Sequence, residues 1–558
     1  MTAHRYATHP RSFTRSPVRR LVLGPIVYGT HGMVATNQPL ASEIGYRILR
    51  QGGNAVDAAI AIAAALNVTE PCSTGIGGDC FLLYYNAETR QVAGLNGSGR
   101  CPKELTLERA KQDLPNETSI PLGHVHSITV PGTVAGWVDA VKAWGTMSMQ
   151  DILQPAIDLA REGFPVAPVT AYLWDKAAFQ LTRWPHPEDL LIDGRAPRTG
   201  EIFKNPNLAA SLEAIGLLGK AGFYEGPIAQ AIVDAVAAQG GLLSLEDLKS
   251  HTSTFVTPIK TTFDGVDVYE IPPNGQGITA LLALNLLAQL DGDALKEHNS
   301  VDYLHALIET MRVAFADARW YVSDPAFETI PIDELLSAAY AKERAKLVNP
   351  DKAMVDPVRG SPVLSSDTVS FQVVDADGNA VSMVNSNYAK FGSGLIPFET
   401  GFSLQNRGSN FVLEADHPNA LAPGKRPYHT IIPAMSLFAE SHLLHSTFSV
   451  MGGFMQPQGH VQVMLNMIRF GFDPQEALDA SRFCIGAAEG ENGSVVSVED
   501  TLPAAVIDGL RAKGHNIRVV ANMARELFGR GQIIARDPAT GVLIAGSDGR
   551  GDGVPMGW

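Results

Sequence analysis

Cysteine is scarce in this chain: Cys72, Cys80, Cys101 and Cys484 are the only four in 558 residues, and no two stand at metal-ligand spacing. So few thiols, so far apart, argue against a disulfide framework and fit free, buried thiols in a reducing, cytoplasmic compartment. Positive charge is also short, with 43 Lys and Arg against 58 Asp and Glu and a net charge of −15. That balance disfavours nucleic acid or an anionic membrane as the main partner. It leaves a small anionic substrate open, because the local field decides that question. No apolar run reaches the roughly 18 residues that a spanning helix needs. The first residues carry Arg5, Arg11, Arg15, Arg19 and Arg20 but no apolar segment, so they do not read as a secretory signal. Prolines in the same stretch predict a flexible arm over residues 1–30. The 15 histidines show no HExxH or H-x-x-x-H pair on a helix. A metal-dependent hydrolase therefore lacks its ligands, and neither metal nor cofactor is expected.

What is present is a large apolar fraction, 45% hydrophobic against 18% charged, which describes a globular protein with a substantial core. From Thr368 the chain alternates, with Val369, Phe371 and Val373 on one face and Thr368, Ser370 and Gln372 on the other. This period of two predicts a half-buried strand. Asp375 to Asn379 is dense in turn formers and Ala380 to Val384 alternates again, which completes a β-hairpin. Upstream, Leu40 to Gln51 has helical spacing and stops at Gly52-Gly53, a helix-ending signal. Asn54 with Asp57 three residues on predicts an N-cap, and the almost wholly apolar Ala55–Val68 predicts a helix buried on all sides. Thr74 to Asp79 is glycine-rich, but Asp79 replaces the Lys of a phosphate loop. It predicts a tight turn into the strand Cys80–Tyr85. The stretch from Asn349 to Ser366 carries Pro350, Pro357 and Pro362 without periodicity and is the one candidate internal boundary. Hairpins mixed with helices, without regular βαβ units, predict an α+β layered architecture.

The chain resembles the γ-glutamyltransferase family of N-terminal-nucleophile hydrolases, in the branch that includes oxamate amidohydrolase and glutathione-hydrolase-like proteins. The residues that carry the resemblance are Gly32-Met33-Val34-Ala35, Gly52 to Ala59, Val130-Pro131-Gly132-Thr133, Asp367 to Val381, Pro423 to Pro427 and the ending Asp552-Gly553 … Gly557-Trp558. The resemblance implies an αββα sandwich formed jointly by two subunits cut from one precursor, a large one over 31–367 and a small one over 368–558. The cut falls between Asp367 and Thr368. It implies further that Thr368 is the nucleophile and, through its freed amine, its own base. This is the N-terminal threonine form of covalent catalysis. Ser386 matches a hydroxyl that hydrogen-bonds the nucleophile. The backbone N–H groups of Met455 and Gln456 match the oxyanion donors.

The implied substrate pocket departs from the transferase pattern. Ser98 stands where an arginine is expected, Tyr388 where an asparagine is, Asn410 where an aspartate is, and His429-Thr430 where a serine pair is. Losing both charges that hold a glutamyl head group removes the strong charge-assisted hydrogen bonds. Arg100, Arg407 and His429 are cations able to meet a small acid's carboxylate instead. The expected activity is cleavage of a small amide through a threonyl acyl-enzyme. The substrate is a small acidic amide such as oxamate or a γ-glutamyl compound such as glutathione; the alternatives are a cephalosporin or glutaryl acylase and a non-catalytic relative. The expected partners are the small-molecule amide and the two subunits of one precursor, with a homodimer of that processed pair also possible.

Overall fold

The computed structural model describes residues 26–290, 292–354, 368–486 and 495–558. Two seven-stranded sheets dominate it. The first runs Val554–Gly557, Met33–Thr36, Val369–Val374, Ala380–Ser386, Asp79–Asn86, Gln91–Gly97, Thr254–Val256. The second runs Val27–Gly29, Leu543–Ser547, Gly531–Arg536, Leu444–Val450, Ala434–Phe438, Val266–Glu270, Ile259–Phe263. Every neighbouring pair in both is antiparallel. The sheets face each other, with Met33, Phe81, Leu83, Val384, Met435 and Ile534 filling the space between them. Helices Pro39–Arg50 and Ala55–Thr69 cover the outer face of the first sheet; Ile278–Leu287, Met455–Ile468 and Pro474–Asp479 cover that of the second.

The helix Ala55–Thr69 forms where its sequence predicts. Asn54 caps the amides of Val56 and Asp57, and the Asp57 carboxylate accepts from the Asn54 N–H at 2.9 Å, closing a capping box. All its residues are buried, because it is enclosed by the sheet and by neighbouring helices. The hairpin also forms, with Val374 opposite Ala380 and Val369 opposite Asn385.

The strand's environment differs from the half-buried reading: every residue of Val369–Val374 is buried. Val369, Phe371 and Val373 pack into the cluster that includes helix Ala55–Thr69. The alternate residues face the second sheet, where Gln372 accepts from Thr447 Oγ1 at 2.6 Å. The alternation therefore separates a dry helical layer from a polar intersheet seam, not core from solvent. The predicted arm needs correction too. Residues 1–25 lie outside the described residues, yet Val27–Gly29 is an edge strand against Leu543–Ala545. Three extended residues are too few to show periodicity.

The Asp367–Thr368 bond falls at a chain position, not a spatial boundary. Strands on either side of it in sequence interleave in both sheets, as Val369–Val374 does beside Met33–Thr36. Two chains cut at this bond would share one core. Phe371 is fully buried between sheet and helix, so Phe371→Ala is expected to lower the unfolding free energy by ~3–5 kcal/mol, read as a lower denaturant midpoint.

Candidate active site

Thr368 heads its strand, fully buried, with its Oγ1 3.1 Å from Ser386 Oγ. Hairpin register produces this contact: Val369 pairs with Asn385, so the next residues outward are Thr368 and Ser386. Ser386 Oγ also accepts the Tyr388 N–H at 2.8 Å. Tyr388 has φ +77°, a left-handed conformation that costs a non-glycine residue of order 1–3 kcal/mol. The Ser386 bond helps hold that conformation, and the Tyr388 ring lies 4.3 Å from the Arg407 guanidinium carbon.

Arg407 is completely buried. One terminal nitrogen donates to Thr430 Oγ1 at 2.7 Å, while Nε and the other terminal nitrogen find no hydrogen-bond acceptor among the described residues. Among the described residues the nearest carboxylate is Asp79, 4.0 Å from Nε. Burial lowers the arginine pKa to about 10, opposed by the Asp79 charge, which leaves it cationic at neutral pH.

Asp79 begins the strand opposite Ser386 in register. The glycine turn before it permits a close backbone approach: a Cβ on Gly78 would stand 2.5 Å from the Ser386 carbonyl oxygen. One Asp79 oxygen accepts from the Gly99 and Gly132 amides at 2.9 and 3.2 Å, and the other lies 3.1 Å from His429 Nε2. His429 Nδ1 accepts from the Ile431 N–H at 3.4 Å, so Nε2 carries the proton and donates to Asp79. Burial, reinforced by Arg407 and Arg426, pushes the imidazole pKa well down. Burial pushes the Asp79 carboxyl up to about 6. Sequence reading assigned Asp79 only to a turn, since its partners His429 and Arg407 lie hundreds of residues away.

The glycine turn Gly452–Gly453 adjoins this cluster. Gln276 Nε2 donates to Thr430 O at 2.6 Å and to Gly453 O at 2.9 Å. Here the expected oxyanion donors need correction. The Met455 N–H donates to Gly452 O at 3.0 Å and the Gln456 N–H to Gly453 O at 3.2 Å, because both amides close the first turn of helix Met455–Ile468. The amides of Gly453 and Phe454, just outside that helix, donate to no group among the described residues.

The remaining expected residues are placed unevenly. Ser98 is buried behind Asp79, but its hydroxyl is held by Asn96 at 2.7 Å and Asn274 at 3.2 Å, so it is not open to a ligand. Arg100 is directed away from the cluster and donates to the Thr252 carbonyl at 2.9 Å. Asn410 meets the cluster through a side-chain hydrogen bond with Tyr388. Asp367 lies outside the described residues. Far from this site, His305, Glu309 and His515 come within reach of one another. They are already bonded: His305 to His515 and to Asn349 O at 2.7 Å each, and Glu309 to Arg312 at 3.0 Å.

A sequence model of the family described as gamma-glutamyltranspeptidase matches residues 41–558. The chain belongs to that family. Among curated relatives, the glutathione hydrolase-like YwrD proenzyme of Bacillus subtilis is 39% identical, covering 95% of this chain and 99% of that protein. The oxamate amidohydrolase proenzyme of Klebsiella pneumoniae is 32% identical over the same shares. The crystal structure of a cephalosporin acylase from Bacillus halodurans superposes with a TM-score of 0.88 at 42% identity, covering 99% of each chain. The two sheets and their helical layers are thus the αββα sandwich of an N-terminal-nucleophile hydrolase, and the chain is an N-terminal threonine amidohydrolase of the gamma-glutamyltranspeptidase family. Ser386 joins the nucleophile Thr368 to Tyr388. Ser386→Ala is expected to lower kcat about 5- to 30-fold, the worth of one hydrogen bond of ~1–2 kcal/mol. Ser386→Thr, measured alongside it, is expected to recover most of that loss.

Proposed function

We propose that the chain cleaves itself between Asp367 and Thr368 and then hydrolyses the amide of a small carboxylic acid of the oxamate type. In the first step Thr368 Oγ attacks the Asp367 carbonyl carbon, the peptide C–N bond breaks, and an ester forms with the amine of Thr368 released. Water then hydrolyses the ester, leaving the Asp367 carboxylate and a free N-terminal threonine. Its α-amine, with a pKa of about 8, takes the proton from its own hydroxyl during attack on the substrate. The substrate C–N bond breaks as that proton passes to the departing amine, and water releases the acid from the threonyl ester. The tetrahedral oxyanion is met by the amides of Gly453 and Phe454, two residues upstream of the pair expected from sequence.

The observation that carries the substrate reading is the buried Arg407 guanidinium, two of whose N–H-bearing nitrogens lack an acceptor among the described residues. Buried polar groups are normally satisfied, and a guanidinium edge matches a carboxylate bidentately. It is joined to the nucleophile through Tyr388 and Ser386, which sets a short acid close to the reacting amide. A glutamyl head group would also require a free carboxylate for its ammonium group. Asn410 carries no charge, and Asp79 is already engaged by two amides and an imidazole. The name of the Klebsiella relative, an oxamate amidohydrolase, supports the same class.

Ammonia release from oxamate and glutamine, run beside amine release from glutathione and a glutaryl amide, tests the reading. Oxamate is expected to be turned over fastest; preferential turnover of glutathione overturns the argument from Asn410 and Arg407. Arg407→Gln is expected to cut kcat/KM for oxamate about 10- to 100-fold, matching ~1.5–3 kcal/mol for hydrogen bonds to a charge, with the loss in KM.

A further inference from the structure

Resting on the reading of Arg407 as the carboxylate-binding group, we propose that Asp79 takes up one proton when the substrate carboxylate binds. Asp79 would thereby couple substrate affinity to pH. Asp79 and a bound carboxylate must share one guanidinium. Asp79 Oδ2 sits 4.0 Å from Arg407 Nε, and the ligand would occupy the acceptor-free edge of the same group. All three side chains around the pair, Asp79, Arg407 and His429, are fully buried, so no water screens the second negative charge. Two carboxylates at one buried site do not both stay ionised; one pKa rises.

The groups facing Asp79 point to where the proton goes. His429 already donates to it from Nε2, and its Nδ1 is engaged by the Ile431 amide; it stays neutral under the influence of Arg407 and Arg426. Arg426 is a second cation whose charge acts on Asp79. Its guanidinium is committed to Ser98 O at 3.0 Å, Thr254 Oγ1 at 3.1 Å and Thr252 O at 3.2 Å, which hold it away from the pocket. Tyr224 and Cys80, which feel the Asp79 charge, and Tyr388, which packs on Arg407, are all kept neutral by burial. Burial already brings the Asp79 carboxyl up to about 6.

The step is a simple balance. Free enzyme holds Asp79⁻ and Arg407⁺, and the complex holds neutral Asp79 with an Arg407⁺–carboxylate pair, one proton having come from solvent. Below pH 6 the proton is already in place and affinity is flat. Above it, the dissociation constant rises about tenfold per pH unit, since each unit of pKa is a factor of ten. Asp79 is a positioning and charge-setting group here, because it touches Arg407 and not the reacting amide.

Isothermal titration calorimetry of the processed protein with lactate, an inert small carboxylate, in two pH 7.5 buffers of different ionisation enthalpy measures the proton directly. Propane-1,2-diol serves as the carboxylate-free control. Uptake close to one proton per lactate is expected for the native protein. Asp79→Asn is expected to show uptake near zero, and about tenfold or more tighter lactate binding at pH 8. Lactate binding by the native protein without proton uptake overturns the coupling and leaves the carboxylate pocket standing. Uptake that persists in Asp79→Asn overturns the assignment to Asp79. No lactate binding by the native protein, or binding no stronger than that of the diol, overturns the carboxylate reading itself. The native measurement decides the matter even where the variant does not fold.

Discussion

A residue that is to become both chain terminus and nucleophile has to be held by its strand alone, and Val369–Val374 is fixed on every side. Met33–Thr36 and Ala380–Ser386 hydrogen-bond its two edges, the helix Ala55–Thr69 covers one face and the second sheet covers the other. Hydrophobic burial of Val369, Phe371 and Val373 sets the rotation of the strand. That rotation places Thr368 on the opposite face, in the seam between the sheets, beside Ser386. Shifting the register by one residue would bury the hydroxyl against the helices. The position of the reacting oxygen is thus a packing result before it is a chemical one.

The same seam concentrates polar groups that a smaller domain could not keep dry. Asp79, Tyr388, Arg407 and the neighbouring pair His429-Thr430 come from separate stretches of chain and meet near Ser386. An ion pair at this depth contributes little net stability, since desolvation offsets the attraction. Its value lies in a buried cation joined to the nucleophile through Tyr388 and Ser386. The turn Gly452–Gly453, with φ values of +128° and +59°, supplies amides at the start of a helix, where N–H groups lack intrahelical partners.

Local patterns in the sequence were legible where local physics decides the outcome. The hairpin, the Asn54 cap and the apolar helix after it all follow from spacing and side-chain chemistry within a dozen residues. The arrangement of the pocket was not legible in that way. Asp79 reads as a turn residue because its partners, His429 and Arg407, are brought to it only by the pairing of distant strands. Ser98 reads as exposed to a ligand until Asn274, far along the chain, is seen to occupy its hydroxyl. The two-residue displacement of the free amides from Met455-Gln456 to Gly453-Phe454 depends on where the helix begins, and sequence comparison without gaps does not resolve that. Full burial of the alternating strand required knowing that a second sheet lies against its polar face.

The account stands on Thr368 becoming a chain terminus. Intact mass measurement and N-terminal sequencing of the purified protein test that directly. Two chains are predicted, the smaller beginning at Thr368 and ending at Trp558, with Thr368→Ala leaving a single uncut chain. A native protein that remains one chain of 59.6 kDa, or whose second chain begins at any other residue, would contradict it.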